Sequence, residues 1–161
     1  MRFPGTMGVP EAVFDGVLDG IARSLKAGGF KTICFIGDHG QSQRVQTAVA
    51  QRLTAEWTKD GVRVVQIDAY YDDKAQIKRL LAEGRSLDEI GQHASIIDTS
   101  ELLSVKPKAV DLGRYRSMTF SLEPTGVSGD PRNANAELGA SLLEMRIAAA
   151  AGQIKALLAT Q

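Results

Sequence analysis

The stretch Thr32-Ile33-Cys34-Phe35-Ile36-Gly37-Asp38-His39-Gly40-Gln41 decides the fold. Its first half is a short, continuously apolar run rich in β-branched residues, the pattern of a strand buried on both faces. Its second half is a loop in which a histidine stands between glycines and beside a carboxylate. A helical period follows: Val45, Val49, Leu53 and Trp57 mark one face of a helix from about Ser42 to Thr58. After Gly61 comes a second strand pattern, Val62-Arg63-Val64-Val65-Gln66-Ile67. Strand, helix and strand within this length form a βαβ unit with parallel strands. Loops at the carboxyl ends of such strands make the ligand crevice. Asp38 and His39 therefore fall on the functional edge, with Asp68 and Asp72 near it.

Upstream, Pro10 and Glu11 open a helix, proline suiting its first position and glutamate the positive end of its dipole. Val13, Phe14, Val17, Leu18, Ile21 and Leu25 recur at helical spacing as one apolar face, and Gly28-Gly29 ends it. Downstream, a helix is expected around Asp73–Glu83. Ser86-Leu87-Asp88-Glu89 is a capping-box pattern for a short helix that stops at Gly91. The spacing predicts a further helix over Thr99–Val105 and a mostly irregular 108–131, with Gly126-Val127-Ser128-Gly129-Asp130-Pro131 as a turn cluster. A long alanine-rich helix then runs from about Asn133 to Thr160, packing through Leu138, Leu142, Met145, Ala149, Ile154 and Leu157.

The 161 residues suit a single domain, with 43% hydrophobic and 24% charged residues, the balance of a soluble globular protein. Nineteen basic residues match nineteen acidic ones, so no net field draws the chain to nucleic acid or an anionic membrane. No apolar run approaches the roughly 20 residues of a membrane span. A lone cysteine, Cys34, excludes an intrachain disulfide and reads as a small buried hydrophobe in a reducing compartment, with cytoplasmic residence as the default.

Candidate chemistry gathers around the only two histidines. His39, flanked by Gly37 and Gly40, reads as a metal ligand or acid/base group, against a plainer reading as a loop histidine with Asp38 capping the next helix. His93 lies in Gln92-His93-Ala94-Ser95-Ile96-Ile97-Asp98, where Asp98 is either a metal ligand or the N-cap of the helix at Thr99. There is no Gly-x-Ser-x-Gly elbow, no Walker-type loop and no Gly-x-Gly-x-x-Gly fingerprint. Metal-assisted hydrolysis, with histidine and aspartate ligands and a water activated by a divalent cation, is the best chemical fit. A catalytic metal takes about three protein ligands. His39 and Asp98, with Asp38 or Asp68 as weaker extras, leave the set short.

These segments together resemble the creatininase family of metal-dependent amidohydrolases. Arg2-Phe3-Pro4-Gly5-Thr6 with Pro10-Glu11 looks like the family's Phe-Pro-Gly-Thr stretch, and Gly37-Asp38-His39-Gly40 like its Asn-Gly-His-Gly-Gly-Asn loop. His93-Ala94-Ser95 with Asp98-Thr99-Ser100 looks like its His-Ala-Gly-Glu-x-Glu-Thr-Ser segment. The turn from Gly126 to Pro131, with Ala136-Glu137-Leu138-Gly139 after it, is similar to its glycine turn before the last helix. The resemblance implies a three-layer α/β/α fold around a mainly parallel sheet, with His39 and Asp98 as metal ligands and His93 as the acid/base histidine. Asp38, Gln41, Asp68, Ser128 and Asp130 complete the candidate set. It further implies zinc, manganese or iron, two ions in a complete site, a small-molecule amide substrate and a homo-oligomer. Gln41 stands where creatininase itself has glutamate, Ser95 and Ile96 replace Gly and Glu, and Asp98 is a methylene shorter than the family's Glu.

The family's Glu-x-His-Gly-x-His…Asp segment, which supplies most of the metal ligands, has no counterpart in these residues. The expectation is therefore a carboxy-terminal portion of the family domain that opens a cyclic or linear amide once an N-terminal segment completes it. The competing expectations are a catalytically degenerate creatininase-like domain kept for binding or assembly, and an unrelated α/β small-molecule binder whose histidines are structural.

Overall fold

The computed structural model describes residues 7–116, 118–119 and 125–160. The Phe3-Pro4-Gly5-Thr6 stretch lies outside them. The described chain is mostly helical with a small parallel sheet, and it divides into two compact units. One runs from Asp72 to Ala148; the other joins Met7–Tyr71 to the residues from Ala149 onward.

The second of these contains the βαβ unit. Helix α1 (Glu11–Ala27) leads to strand β1 (Thr32–Phe35), helix α2 (Gly40–Glu56) and strand β2 (Arg63–Gln66). The strands pair in parallel, Ile33 opposite Val64 and Phe35 opposite Gln66. Val45, Val49 and Leu53 of α2 and Trp57 at its C-cap are all buried, packed with Ile33, Phe35, Val62 and Val64. Removing such side chains from water supplies roughly 1.5–3 kcal/mol each, the main term holding the unit together.

Two expectations fail here for the same reason. β1 is not buried on both faces: Ile33 and Phe35 are enclosed, whereas Thr32 and Cys34 are half-buried and Ile36 is 52% exposed. Cys34 is accordingly not a fully enclosed hydrophobe, though partial burial pushes its thiol pKa up. The α1 face also divides. Phe14, Leu18, Ala22 and Leu25 pack on the core, while Val13, Val17 and Ile21 are each about half exposed. Only one side of each element meets a neighbour among the described residues.

Polar side chains close the outer edge of β2. The Thr54 hydroxyl accepts the Val64 N–H and donates to the Val64 carbonyl, both at 2.8 Å. Gln153, from the final helix, donates to the Gln66 carbonyl at 3.3 Å and accepts the Ala69 N–H at 3.0 Å. The outward N–H and carbonyl of Val64 and the carbonyl of Gln66 are thereby satisfied without a third strand among the described residues.

The unit from Asp72 to Ala148 is helical: α3 (Lys74–Ala82), α4 (Leu87–Ile90), α5 (Ile96–Val105), α6 (Leu112–Arg116) and the first half of α7 (Ala136–Ala159). Its core is Leu80, Ile90, Ile96, Ile97, Leu138 and Leu142. The capping box forms as read, Ser86 Oγ accepting the Glu89 N–H while the Glu89 carboxylate takes the Ser86 N–H. α5 begins at Ile96 rather than Thr99, so Asp98 lies in its first turn and is not its N-cap. α6 was not read from the sequence, where this region is expected to be loop. On α7, Ala149 is exposed, and Arg146 and Ala150 are buried instead.

Candidate functional site

His39 is the N-cap position of α2, with φ −140° and ψ 126°, and its side chain makes no capping bond. Asp38 is therefore not the cap either. What holds the loop is a set of side chains from the first turns of α2. Gln43 Nε2 donates to the Gly37 carbonyl at 2.9 Å and to the His39 carbonyl at 3.1 Å. Ser42 Oγ donates to the His39 carbonyl at 2.7 Å, and Gln46 Nε2 donates to Ser42 Oγ at 3.0 Å. Gln66 Nε2 in turn donates to Gln43 Oε1 at 2.5 Å. The loop carbonyls thus accept from a relay of amides and hydroxyls, leaving the imidazole exposed at the carboxyl end of β1 with no partner among the described residues.

Both flanking glycines make room for protein atoms. A Cβ on Gly37 would stand 2.2 Å from Gln46 Nε2, and one on Gly40 would stand 2.8 Å from the Tyr71 hydroxyl. Gln46 is 97% buried by its relative exposure of 3%, and its Oε1 has no hydrogen-bond donor. Exchanging the amide's oxygen and nitrogen would move that orphan to the other end without removing it. Gln46 and Tyr71 are site residues the sequence reading missed. The signal was there in Gly37 and Gly40, but it did not say what approached them. Asp38 in this loop and Gln41 in the first turn of α2 are both exposed. Asp68 lies past the end of β2, where its Oδ1 accepts from Gln153 Nε2 at 2.7 Å.

His93, Asp98, Ser128 and Asp130 all belong to the unit from Asp72 to Ala148. The His93 segment is pinned to the glycine turn by an antiparallel bridge: Ser128 N–H donates to the His93 carbonyl at 2.8 Å, and Gln92 N–H to the Ser128 carbonyl at 3.1 Å. Gly91 and Gly129 permit this contact, because a Cβ on Gly91 would lie 1.7 Å from the Ser128 carbonyl oxygen. Ala94, next to His93, has the left-handed φ of 49°, an unusual state for a residue with a Cβ. Asp98 Oδ2 accepts the Ala94 N–H at 2.7 Å and so holds that turn. Asp130 is paired with Arg132, whose Nε donates to Oδ1 at 2.9 Å and keeps its carboxyl pKa below the ordinary range. His93 itself is exposed.

The structure thus builds two hydrogen-bonded loops, each presenting an exposed imidazole. Among the described residues, no three His, Cys, Asp or Glu side chains come together as a metal-holding group. At His39 the described residues offer a divalent cation one exposed imidazole on a braced backbone, with the buried Gln46 amide behind it. The described residues alone do not complete a ligand set.

A sequence model of the creatininase family, described as creatinine amidohydrolase, matches residues 1–154. This chain belongs to the creatininase family. Its fold agrees with that of solved creatininases. A manganese creatininase superposes with a TM-score of 0.72 at 23% identity, covering 96% of this chain and 67% of the other. A mutant creatininase of Zn-Zn type and a mutant complexed with creatine each give 0.71 at 24% identity, with the same coverage. No curated protein sequence matches this one. The creatininase-like α/β fold read from the sequence is therefore the fold observed, and the family is one of amidohydrolases whose solved members include zinc and manganese forms.

Proposed function

We propose that this chain is part of a metal-dependent amidohydrolase acting on a cyclic or linear amide of a small molecule. The observation that carries the reading is the braced His39 loop at the carboxyl end of β1, in a chain that the family model matches over residues 1–154. In this reading His39 is one ligand of a divalent zinc, manganese or iron ion, and the carboxylates of Asp38, Asp68 and Asp98 are its candidate companions. The ion, when bound, supplies Lewis-acid activation of water and of the amide carbonyl. His93, exposed on a pinned turn, moves the proton to the leaving nitrogen. Ser128 and Asp130 set the turn against which His93 is fixed. The ligands that the described residues do not furnish would come from another segment or another copy, and a homo-oligomer belongs to the same proposal. Since the family match runs through both units, they are read as one creatininase-like domain.

The test is the metal content of the purified chain beside a His39→Ala variant, followed by a screen of small amides with and without His93→Ala. Bound zinc, manganese or iron that disappears in His39→Ala, with amide turnover lost in His93→Ala, is the expected result. The second reading, a degenerate domain kept for binding or assembly, is favoured by the lack of a three-ligand group among the described residues. A folded chain without metal would decide for it.

A further inference from the structure

Strand β1 has one paired edge and one open edge. Alternation along it turns the backbones of Ile33 and Phe35 to β2, where the Phe35 carbonyl accepts the Ile67 N–H at 2.8 Å, and turns those of Cys34 and Ile36 outward. The outward groups of Cys34 and Ile36 meet no partner among the described residues, unlike those of β2, which Thr54 and Gln153 satisfy. An uncharged flank of α1 stands above this open edge. With about 3.6 residues per turn, Phe14, Leu18, Ala22 and Leu25 point to the core and Asp15 and Asp19 turn to Arg52 of α2. Val13, Val17 and Ile21 then lie on the side away from α2, and they are 50%, 51% and 52% exposed. Gly16, Gly20, Ser24 and Ala27 beside them are exposed too, so this flank carries no charge along the helix. Helix α2 reaches the outer edge of β2 through Thr54. Helix α1, beside α2 over the same face of the sheet, therefore stands on the β1 side, and its uncharged flank overhangs the open edge. The outward face of a surface helix is ordinarily polar; an apolar row above unpaired backbone is a surface that lacks its cover.

We propose that the open edge of β1 is a docking slot for one extended peptide segment supplied in trans, added as a third strand beneath α1. The segment pairs its backbone with Cys34 and Ile36, and every second side chain, apolar and β-branched, packs against Val13, Val17 and Ile21. A charged side chain is excluded on that side, because the flank offers it no counter-charge. A second copy of this chain does not fit the slot through its own β1. Paired strands lie about 4.8 Å apart and packed helices about 8–10 Å, so two copies of α1 would collide above a β1–β1 pair. A bare strand brings no such helix. Nothing in this docking depends on what His39 binds.

The experiment is amide hydrogen exchange of the full 161-residue chain, read residue by residue by NMR. It is run with and without a synthetic peptide of about eight alternating threonine and valine residues flanked by lysines. Without peptide, and with the chain monomeric by light scattering, Cys34 and Ile36 are expected to exchange faster than Ile33 and Phe35. With about 1 mM peptide, enough to detect a weak contact, the Cys34 and Ile36 amides are expected to slow at least threefold. The same peptide N-methylated along its length keeps its side chains but cannot pair as a strand, and should leave both amides unchanged. Val17→Lys, at an exposed position, puts a charge into the slot and should fold as wild type while losing most of the peptide effect. Ile36→Pro removes only an outward N–H and should do the same. Unchanged exchange with peptide, equal slowing by the N-methylated form, or slowing that survives in either folded variant overturns the proposal. Protection of Cys34 and Ile36 in the chain without peptide overturns it as well, since the edge would then be closed by the chain itself or, in a dimer, by a second copy.

Discussion

At the scale of the residue, close approach rather than exposure marks the sites of interest. Gly37 and Gly40 were legible as places where something nears the backbone, and the structure supplies Gln46 and Tyr71 as the neighbours. The unmet acceptor on Gln46 costs about 1–3 kcal/mol, a cost that apolar packing would not carry. Gly139 follows the same logic in α7: a Cβ there would stand 1.8 Å from the Ser100 carbonyl oxygen. Gly139→Ala should therefore destabilise by at least about 1–3 kcal/mol through overpacking. Gly20 on α1 has nothing within 4 Å, so Gly20→Ala should stabilise by about 0.5–1 kcal/mol through helix propensity. Urea denaturation of the two variants checks both signs; equal effects would mean that backbone contact does not distinguish these glycines. Asp98 shows the limit of reading residues singly. Its spacing to Thr99 suggested a cap, whereas its carboxylate holds the strained Ala94 beside His93.

At the scale of the element, α1 and α2 are joined by charge along their flanks and by apolar packing between them. Arg23 donates to Asp19 at 2.6 Å and to Glu56 at 2.7 Å, and Arg52 reaches Asp19 at 2.6 Å and Asp15 at 2.7 Å. Arg23 and Lys26 also lie over the Trp57 ring, at 5.5 and 4.8 Å from its centroid. The Arg23 guanidinium holds the Glu56 carboxyl down at about 2 from its ordinary 4.5, and Arg23 with Arg52 lowers Asp19. A depressed folded-state pKa contributes stability that is fully present above the unfolded value and lost as pH falls through the folded one. The melting temperature should thus fall between pH 4.5 and about 2, and less steeply in Arg23→Met. These groups are exposed, so added salt should flatten the difference; identical acid profiles for the two proteins would count against the pairing. The two sides of the helices should also respond unequally. Leu53→Ala, fully buried, should cost about 2–5 kcal/mol. Val17→Lys on the exposed side of α1 should stay within about 0.5 kcal/mol. A large loss in Val17→Lys would show that this side is covered in solution.

At the scale of the whole molecule, each unit has its own core, and the helical one also encloses charge. Arg146 Nε lies 3.2 Å from Glu101 Oε1, and Gln76 joins both: its Nε2 donates to Glu101 at 2.7 Å and its Oε1 accepts from Arg146 at 3.2 Å. All three are buried. Arg146→Ala leaves a carboxylate without its main counter-charge and should cost about 3–5 kcal/mol, whereas Arg146→Met with Glu101→Leu should recover most of that loss. Chemical denaturation of the single and double variants reads the difference, and additive losses would show that the pair is not coupled. None of this cluster was legible in the sequence. Arg146 occupies a helix position that reads as solvent-facing, and its partners lie 45 and 70 residues away in the chain.

The sequence by itself determined the local grammar. Period-3.6 and continuous apolar runs placed α1, β1, α2 and β2; a serine and a glutamate three residues apart placed α4; and four spaced motifs indicated the family. These signals are carried by neighbours in the chain, within one turn or one strand of each other. Tertiary structure decided what burial and contact require: which side of α1 and β1 is covered, that Gln46 and Tyr71 crowd the His39 loop, that Asp98 braces Ala94, and that Arg146 is enclosed. Those outcomes depend on atoms brought together from distant positions, where packing overrides local preference, and no spacing along the chain encodes them.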